Sequence, residues 1–214
     1  MRISRLRLQD FRGWSHLDLC PRTHVLLAGV PRAGRSDVIA DKRLAEIFTV
    51  AASTGDDPEL DTLILRLHAE TACRRGGALA LRPCDLDANQ SLVMLREKGD
   101  TTRWQPISPT LMRHLLDHAD ARGADPSTRL LRYRNGRPIT ARRYDYLWAR
   151  VRQQLPWAAA QQVSAHWLRH TTLTWVERRF GYAVARAYAG HTDSGNAAPP
   201  PPTYAPTSTR SPPR

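Results

Sequence analysis

The sequence predicts a mainly α-helical domain with a small β-hairpin insertion, and three observations support this fold class. Apolar residues recur at helical spacing along the middle of the chain, where Leu60, Leu63, Ile64 and Leu67 share one face. A single polar turn, residues 98–102, is flanked by short runs of strand-forming residues. The chain has 214 residues and is 41% hydrophobic, which allows a sizeable core and one to one and a half domains.

Residues 1–40 are predicted to form a strand, a turn, a strand and a glycine loop. Apolar residues alternate around Leu8 and again around Leu17, and a turn at residues 11–14 separates the two runs. A further apolar run, residues 25–28, leads into the glycine loop. This segment differs in character from the helical patterns that follow it.

Residues 41–192 are predicted to form one compact helical domain that contains the hairpin. Leu44 and Ile47 begin a first amphipathic helix. Pro58 opens the second helix, because proline suits the first helical turn. A third helix covers residues 111–118.

The second half of this domain contains clear turn and cap residues. Asn135–Gly136 marks a turn, and Thr140 and Ser164 are expected to cap the two helices that follow them. Gly181 ends the longer of these helices, and a last helix runs up to Gly190. Three tryptophans at helical spacing are expected in the core: Trp148, Trp167 and Trp175.

The charge balance favours a polyanionic partner. Lys plus Arg number 32 against 20 Asp plus Glu, a formal net charge of +12, and nucleic acid is the commonest partner of such a basic domain. Only Lys42 and Lys98 are lysine, so a genome rich in G and C is an alternative source of part of the excess.

Several other classes of protein are not favoured. No apolar run approaches the roughly 20 residues that span a bilayer, and the first residues do not resemble a signal peptide, so we expect a cytoplasmic protein without membrane contact. Cys20, Cys73 and Cys84 follow no metal-binding spacing and are expected to be reduced thiols. No metal or cofactor is expected.

The glycine loop, residues 29–36, has the spacing of a phosphate-binding loop, with Gly29, Gly34 and Ser36 in register and Arg35 in place of the usual lysine. Together with Phe-Arg-Gly at the preceding turn, it resembles the start of SMC- and ABC-type repair ATPases. The resemblance implies a truncated ATPase-like fragment over residues 1–40. The alternative is a degenerate fragment without nucleotide activity, because Arg is bulkier and fork-shaped.

Four motifs occur in order within the helical segment. They are residues 70–87 around Thr71 and Arg74, residues 95–107 around Lys98 and Arg103, His166–His170, and Tyr188–Thr192. Over about residues 43–192 these motifs resemble the catalytic domain of the tyrosine recombinases, or phage integrases. Ala72, Cys73 and Gly77 depart from the first family motif.

The resemblance implies a role for each motif in cleaving and rejoining DNA. Arg74 and Arg169 would clamp the oxygens of one phosphodiester with guanidinium groups that stay charged. Lys98 would act as general acid toward the leaving 5′ oxygen. His166, on the same helix side as Arg169, would orient or deprotonate the nucleophile, and His191 would hydrogen-bond the phosphate.

The family's nucleophile is a tyrosine on a short helix after the last motif, and Tyr204 is the only tyrosine that follows His191. Tyr204 lies in a segment, residues 193–214, that is predicted to be a proline-rich disordered tail, because four prolines occupy residues 199–202. One hypothesis is that this tail is a frameshifted reading of a helical end, which the codons of the gene can test.

Three hypotheses follow from these motifs. The first is a site-specific recombinase or integrase that acts through a 3′-phosphotyrosyl intermediate on double-stranded DNA, as a homo-oligomer on that DNA. The second is a DNA-binding remnant of such an enzyme without a competent nucleophile. The third, which rests only on the glycine loop, is a nucleotide-binding ATPase fragment.

Overall fold

The computed structural model describes residues 6–11, 14–19, 38–97 and 101–190. In the first two ranges the structure describes the backbone alone. The described residues form one 3₁₀ helix (Pro83–Asp85) and eight α-helices: α1 (Asp41–Ser53), α2 (Pro58–Thr71), α3 (Arg75–Ala80), α4 (Pro109–Ala121), α5 (Ala141–Gln154), α6 (Pro156–Ala160), α7 (Ala165–Phe180) and α8 (Tyr182–Ala189).

The described part of the N-terminal segment is an antiparallel hairpin. Strand β1 (Leu6–Phe11) pairs with β2 (Trp14–Leu19), with Leu8 opposite Leu17 and Phe11 opposite Trp14. This pairing confirms the strand-turn-strand prediction. The glycine loop, with Gly29, Gly34, Arg35 and Ser36, lies outside the described residues.

The second sheet has three antiparallel strands in the order β3 (Leu86–Asp87), β4 (Leu92–Glu97) and β5 (Thr101–Pro106). The β4–β5 pair confirms the hairpin expected from the sequence, and Leu95 lies opposite Arg103. The short strand β3 was not expected, since two residues show no alternation to detect.

Helix α2 lies at the centre of the helical domain, and its apolar stripe is buried as the spacing predicts. Leu60, Ile64 and Leu67 are fully buried. The helix packs mainly against α7 and α1, and the Thr172 hydroxyl donates to the Ala69 carbonyl over 2.8 Å. The end of α2 is therefore fixed against α7, the helix that contains the His166–His170 motif.

Buried ion pairs fix the beginning of α2. Asp61 is fully buried and accepts hydrogen bonds from Arg143 and Arg150 of α5. Asp57 at the N-cap accepts from the Leu60 amide and from Arg122. Burial alone would raise the pKa of Asp57, but the hydrogen bond and charge of Arg122 hold it below its usual value.

Several sequence expectations differ from the structure in detail. Trp148 is buried, but Trp167 and Trp175 are only half-buried at the domain surface. Thr140 and Ser164 occupy N-cap positions as expected, yet neither side chain forms a cap hydrogen bond. The short helices α3 and α6 were not expected. Among the described residues, no helix is long and apolar enough to cross a membrane.

Candidate active site

A cleft of about 510 Å³ lies between the α2–α3 junction, α5 and the first turns of α7. Its walls are strongly basic, and the basic side chains that line it are Arg74, Arg75, Arg152, His166 and Arg169. Asp145 is the one acidic residue on the described wall, and it faces Arg75 at 3.8 Å, with both side chains more than half exposed. Four arginines line the cleft against this single carboxylate, so the cleft can accept an anion.

Arg169 is the buried member of this group. It lies on α7, is 5% exposed, and its guanidinium donates to the carbonyl oxygens of Ala72 and Ala189, the latter over 2.7 Å. Ala72 ends α2 in the left-handed conformation, with φ of 51°, which turns its carbonyl away from the helix. Arg169 therefore joins the end of α2 to the end of α8 while it lines the cleft.

Arg74 lines the same cleft from the junction of α2 and α3. It is the exposed N-cap residue of α3, with φ of −77° and ψ of 156°, directly after the buried Cys73. The extended backbone at this position follows the end of α2 at Ala72 and begins α3, with the Arg74 side chain exposed. The two arginines of the first and third motifs thus differ in burial although both line one cleft.

His166 is exposed at the start of α7, where it lines the cleft one turn before Arg169. Its Nε2 lies 2.7 Å from Nε2 of His170, and the two rings meet edge to face with centroids 4.2 Å apart. At this distance one nitrogen donates a proton to the lone pair of the other. His170 therefore orients the imidazole of His166.

The cleft floor contains a buried polar chain behind Arg74. His68 Nε2 lies 2.9 Å from the Tyr144 hydroxyl, and its Nδ1 lies 3.0 Å from the Cys73 carbonyl. Burial alone would lower the pKa of His68, but the adjacent Cys73 raises it above its usual value. These contacts hold the backbone that presents Arg74.

A second arginine contact positions the end of α8. Arg103 on β5 donates to the Tyr188 carbonyl and to Gln105. The Tyr188 hydroxyl in turn donates to the Glu70 carbonyl of α2. Among the described residues, Arg103 is not one of those that line the cleft. Its contacts connect the hairpin to the segment that precedes His191.

The carboxylate of Glu70 joins α2 to the junction of β5 and α4. It accepts hydrogen bonds from the Ser108 amide over 2.8 Å and from the Ser108 hydroxyl over 3.0 Å, and Arg66 pairs with it at 3.1 Å. The Ser108 hydroxyl also caps α4 by accepting from the Leu111 amide. Glu70 therefore joins the C-terminal end of the hairpin to α2, and Arg103 joins strand β5 to α8.

The structure brings together Arg74, His166 and Arg169 among the residues expected at the site. Lys98, His191 and Tyr204 lie outside the described residues. Arg152, which the sequence analysis missed, lies on the cleft wall and donates to the Val163 carbonyl over 3.2 Å. The only signal for it in the sequence is its position four residues after Trp148 on one helix face.

The described residues contain no group of three or more His, Cys, Asp or Glu side chains that could hold a metal ion. Cys73 and Cys84 are thiols, the first buried and the second exposed. The guanidinium groups and the imidazole that line the cleft suit a phosphate ligand.

Comparison with known proteins identifies relatives for most of the chain. The model of the phage integrase family matches residues 38–198. Tyrosine recombinase XerC of Chlamydia caviae is 27% identical over 137 residues, which is 61% of this chain and 43% of XerC. This chain therefore spans less than half the length of that relative.

Solved structures show the same fold. The lambda integrase catalytic core is 16% identical and superposes with a TM-score of 0.55, over 76% of this chain and 96% of that one. The Tn1549 transposon integrase, solved in complex with circular intermediate DNA, is 15% identical with a TM-score of 0.61, over 75% of this chain and 61% of that one. The mainly helical fold with a small antiparallel sheet is thus the one predicted from the sequence.

Proposed function

Because the chain belongs to the phage integrase family, we propose that it acts in site-specific recombination or integration by cleaving and rejoining DNA strands. The observation that carries the proposal is the basic cleft, where Arg74, His166 and Arg169 meet although 95 positions separate the first from the last. A DNA phosphodiester is an anion that these basic groups can bind. The proposed substrate also favours a cytoplasmic location.

In the proposed reaction the Tyr204 hydroxyl oxygen attacks the phosphorus of the scissile phosphodiester. A 3′-phosphotyrosyl bond forms as the bond to the 5′ oxygen breaks, and the proton of the tyrosine passes to His166 or to water. Lys98 gives a proton to the leaving 5′ oxygen. Rejoining is the reverse displacement by a 5′ hydroxyl.

The arginines act on the charge that develops on the non-bridging oxygens. Arg74 is exposed and donates from the open wall, whereas Arg169 is held in place by the carbonyls of Ala72 and Ala189. Such preorganised donors need no reorientation as the charge grows, and loss of one typically costs about 10²–10³ in rate. His191 is proposed as a further phosphate donor.

A trapping experiment tests the proposal. The full chain is incubated with a pool of duplexes that have randomised sequence and a nick that lets the cleaved fragment diffuse away, and covalent adducts are recovered under denaturing conditions. We expect an adduct with the wild type and with Tyr182→Phe, a control at an exposed tyrosine of α8. Tyr204→Phe is expected to abolish it.

The second candidate is a DNA-binding remnant with the same cleft. The observation that favours it is the run of four prolines, residues 199–202, before Tyr204, since catalysis loses about 10²-fold for a displacement of about 1 Å. Salt-sensitive DNA binding without any adduct would identify this remnant and exclude the recombinase. The family match begins at residue 38 and omits the glycine loop, so the ATPase hypothesis receives no support from it.

A further inference from the structure

Two arginines on the cleft wall, Arg75 and Arg152, have no role in the proposed reaction. Arg75 faces Asp145 at 3.8 Å. Arg152 forms no ion pair with a carboxylate of the described residues, and its guanidinium donates to the Val163 carbonyl over 3.2 Å. Arg152 is therefore a half-buried cation of the cleft without a counter-charge in the described part of the chain.

Arg152 lies at one end of the cleft wall that α5 forms. Tyr144, Trp148 and Arg152 follow one another at four-residue spacing, share one face of the helix and line the cleft. Asp145, which faces Arg75, lies seven residues before Arg152, a rise of about 10 Å along α5. The wall is long enough for more than one phosphate, because successive phosphates of a strand advance by about 3.4 Å along the DNA axis.

The beginning of α7 adds neutral donors at the Arg152 end of the cleft. Ser164 and Ala165 line the cleft directly after the Val163 carbonyl that Arg152 contacts. The Ser164 side chain forms no cap hydrogen bond, and the first amides of a helix have no acceptor within that helix. These amides and the dipole of the 16-residue helix favour an anion at this position.

Trp148 provides an independent observation that points to an oxygen ligand. Its side chain is 4% exposed and lines the cleft one turn before Arg152. Its Nε1–H has no hydrogen-bond acceptor among the described residues, although a buried indole N–H usually has one. A ligand oxygen at this end of the cleft is an acceptor of the kind that this donor requires.

The charge of the cleft also exceeds what one phosphate can neutralise. Four arginines and one carboxylate line it, which leaves three positive charges without counting His166. One phosphodiester has a single negative charge. The lining therefore suits more than one phosphate of a polyanion.

We propose that Arg152 and the first turn of α7 bind a second phosphate of the same DNA strand, next to the phosphate that Arg74 and Arg169 hold. The two phosphates are neighbours because His166 and Arg169 lie on the first two turns of α7, beside the second site. This inference rests on the proposed function, in that DNA is the ligand. Arg152 is a positioning residue, which fixes the register of the strand without contact to the reacting atoms.

The salt dependence of duplex binding by the full chain tests the second site. The slope of log affinity against log salt counts the neutralised phosphates, at about 0.9 for each. The variants are Arg152→Ala, Arg152→Lys, Arg74→Ala and the double variant Arg74→Ala/Arg152→Ala, and the control is Arg113→Ala, an exposed arginine of α4 outside the cleft. Circular dichroism verifies each fold, and Arg152→Gln, which keeps a donor for the Val163 carbonyl, replaces the alanine variant if that variant unfolds.

We expect Arg152→Ala and Arg74→Ala each to lower the slope by about one, and the double variant to lower it by about two. Arg152→Lys keeps the charge and should retain the wild-type slope, as should Arg113→Ala.

An unchanged slope in Arg152→Ala, beside a reduced one in Arg74→Ala, would overturn the second site and leave the proposed function standing. A loss of only about one in the double variant would mean that both arginines share one phosphate, and would also overturn it. An unchanged slope in Arg74→Ala would contradict the proposed function as well, because the second phosphate would then have no neighbour at Arg74.

Discussion

The side chain of Arg103 fills the space in which a Cβ atom on Gly190 would lie. That position is 2.7 Å from Cδ and 2.9 Å from Nε of Arg103, and Gly190 itself has φ of +70°. The glycine before His191 thus meets two requirements, a left-handed end for α8 and a close approach to Arg103. Both requirements determine where the chain leaves α8 toward His191.

Gly190→Ala tests this relationship through stability. The left-handed conformation costs a non-glycine residue about 1–2 kcal/mol, and the collision with Arg103 adds to that cost. Gly123→Ala is the control, because Gly123 has φ of +62° but no atom within 4 Å of its Cβ position. We expect urea unfolding to show a larger loss for Gly190→Ala, and the excess to shrink in an Arg103→Ala background. Equal losses of stability for the two variants would contradict the proposed collision with Arg103.

Arg103→Lys separates positioning from phosphate binding. Lysine keeps the charge but cannot reproduce the fork that reaches both Tyr188 and Gln105. We expect the rate of covalent trapping to fall about 10-fold to 100-fold, because the segment before His191 shifts. The slope of log DNA affinity against log salt concentration should stay unchanged. A slope reduced by about one would instead mean that Arg103 contacts a phosphate.

The two cleft arginines should respond differently to truncation. Arg169→Ala leaves the buried carbonyls of Ala72 and Ala189 without these donors, and we expect a loss of about 2–5 kcal/mol in the free energy of unfolding. Arg74→Ala removes an exposed side chain and should cost about 0.5 kcal/mol or less. Chemical denaturation measures both. Similar losses for the two variants would argue against the assigned contacts of Arg169.

His118 should make stability depend on pH. Burial, followed by the charge of Arg122, lowers the pKa of His118 to about 4 against an ordinary 6.5, while its Nε2 accepts from the Arg132 amide. Between these values the unfolded state binds more protons, so stability is full above pH 6.5 and falls as the pH drops toward 4. We expect a loss of about 2 kcal/mol between pH 7 and pH 5.

The control for this pH dependence is His118→Gln, whose side-chain oxygen can still accept from the Arg132 amide but does not titrate. We expect denaturation curves of His118→Gln to lose about 2 kcal/mol less than the wild type over the same interval. The raised pKa of His68 acts with the opposite sign, and it is common to both proteins. An identical pH dependence in the two proteins would refute the assignment to His118.

The elements that the sequence predicted well are those with a local signal. The stripe of Leu60, Ile64 and Leu67 marks α2, and the polar turn between β4 and β5 marks the hairpin. Gly190 ends α8 as expected, and it does so in the left-handed conformation. Each of these rests on periodicity or on backbone freedom, which are properties of neighbouring residues.

The features that the sequence did not predict depend on tertiary contacts. Nothing local shows that Arg103 turns toward the Tyr188 carbonyl, 85 residues away, or that Arg152 lies on the cleft wall. Helix α3 contains Gly76 and Gly77, which disfavour a helix locally, so the surrounding fold imposes it. The shared cleft of Arg74 and Arg169 follows only once α2 and α7 are packed together.

The central claim is that the basic cleft holds a DNA phosphate, and the salt dependence of duplex binding tests it most directly. Arg74→Ala is compared with Arg113→Ala, an exposed arginine of α4 outside the cleft. We expect Arg74→Ala to weaken binding and to lower the slope of log affinity against log salt by about one. Arg113→Ala should leave the slope unchanged. Equal slopes for wild type and Arg74→Ala would contradict a phosphate site in this cleft.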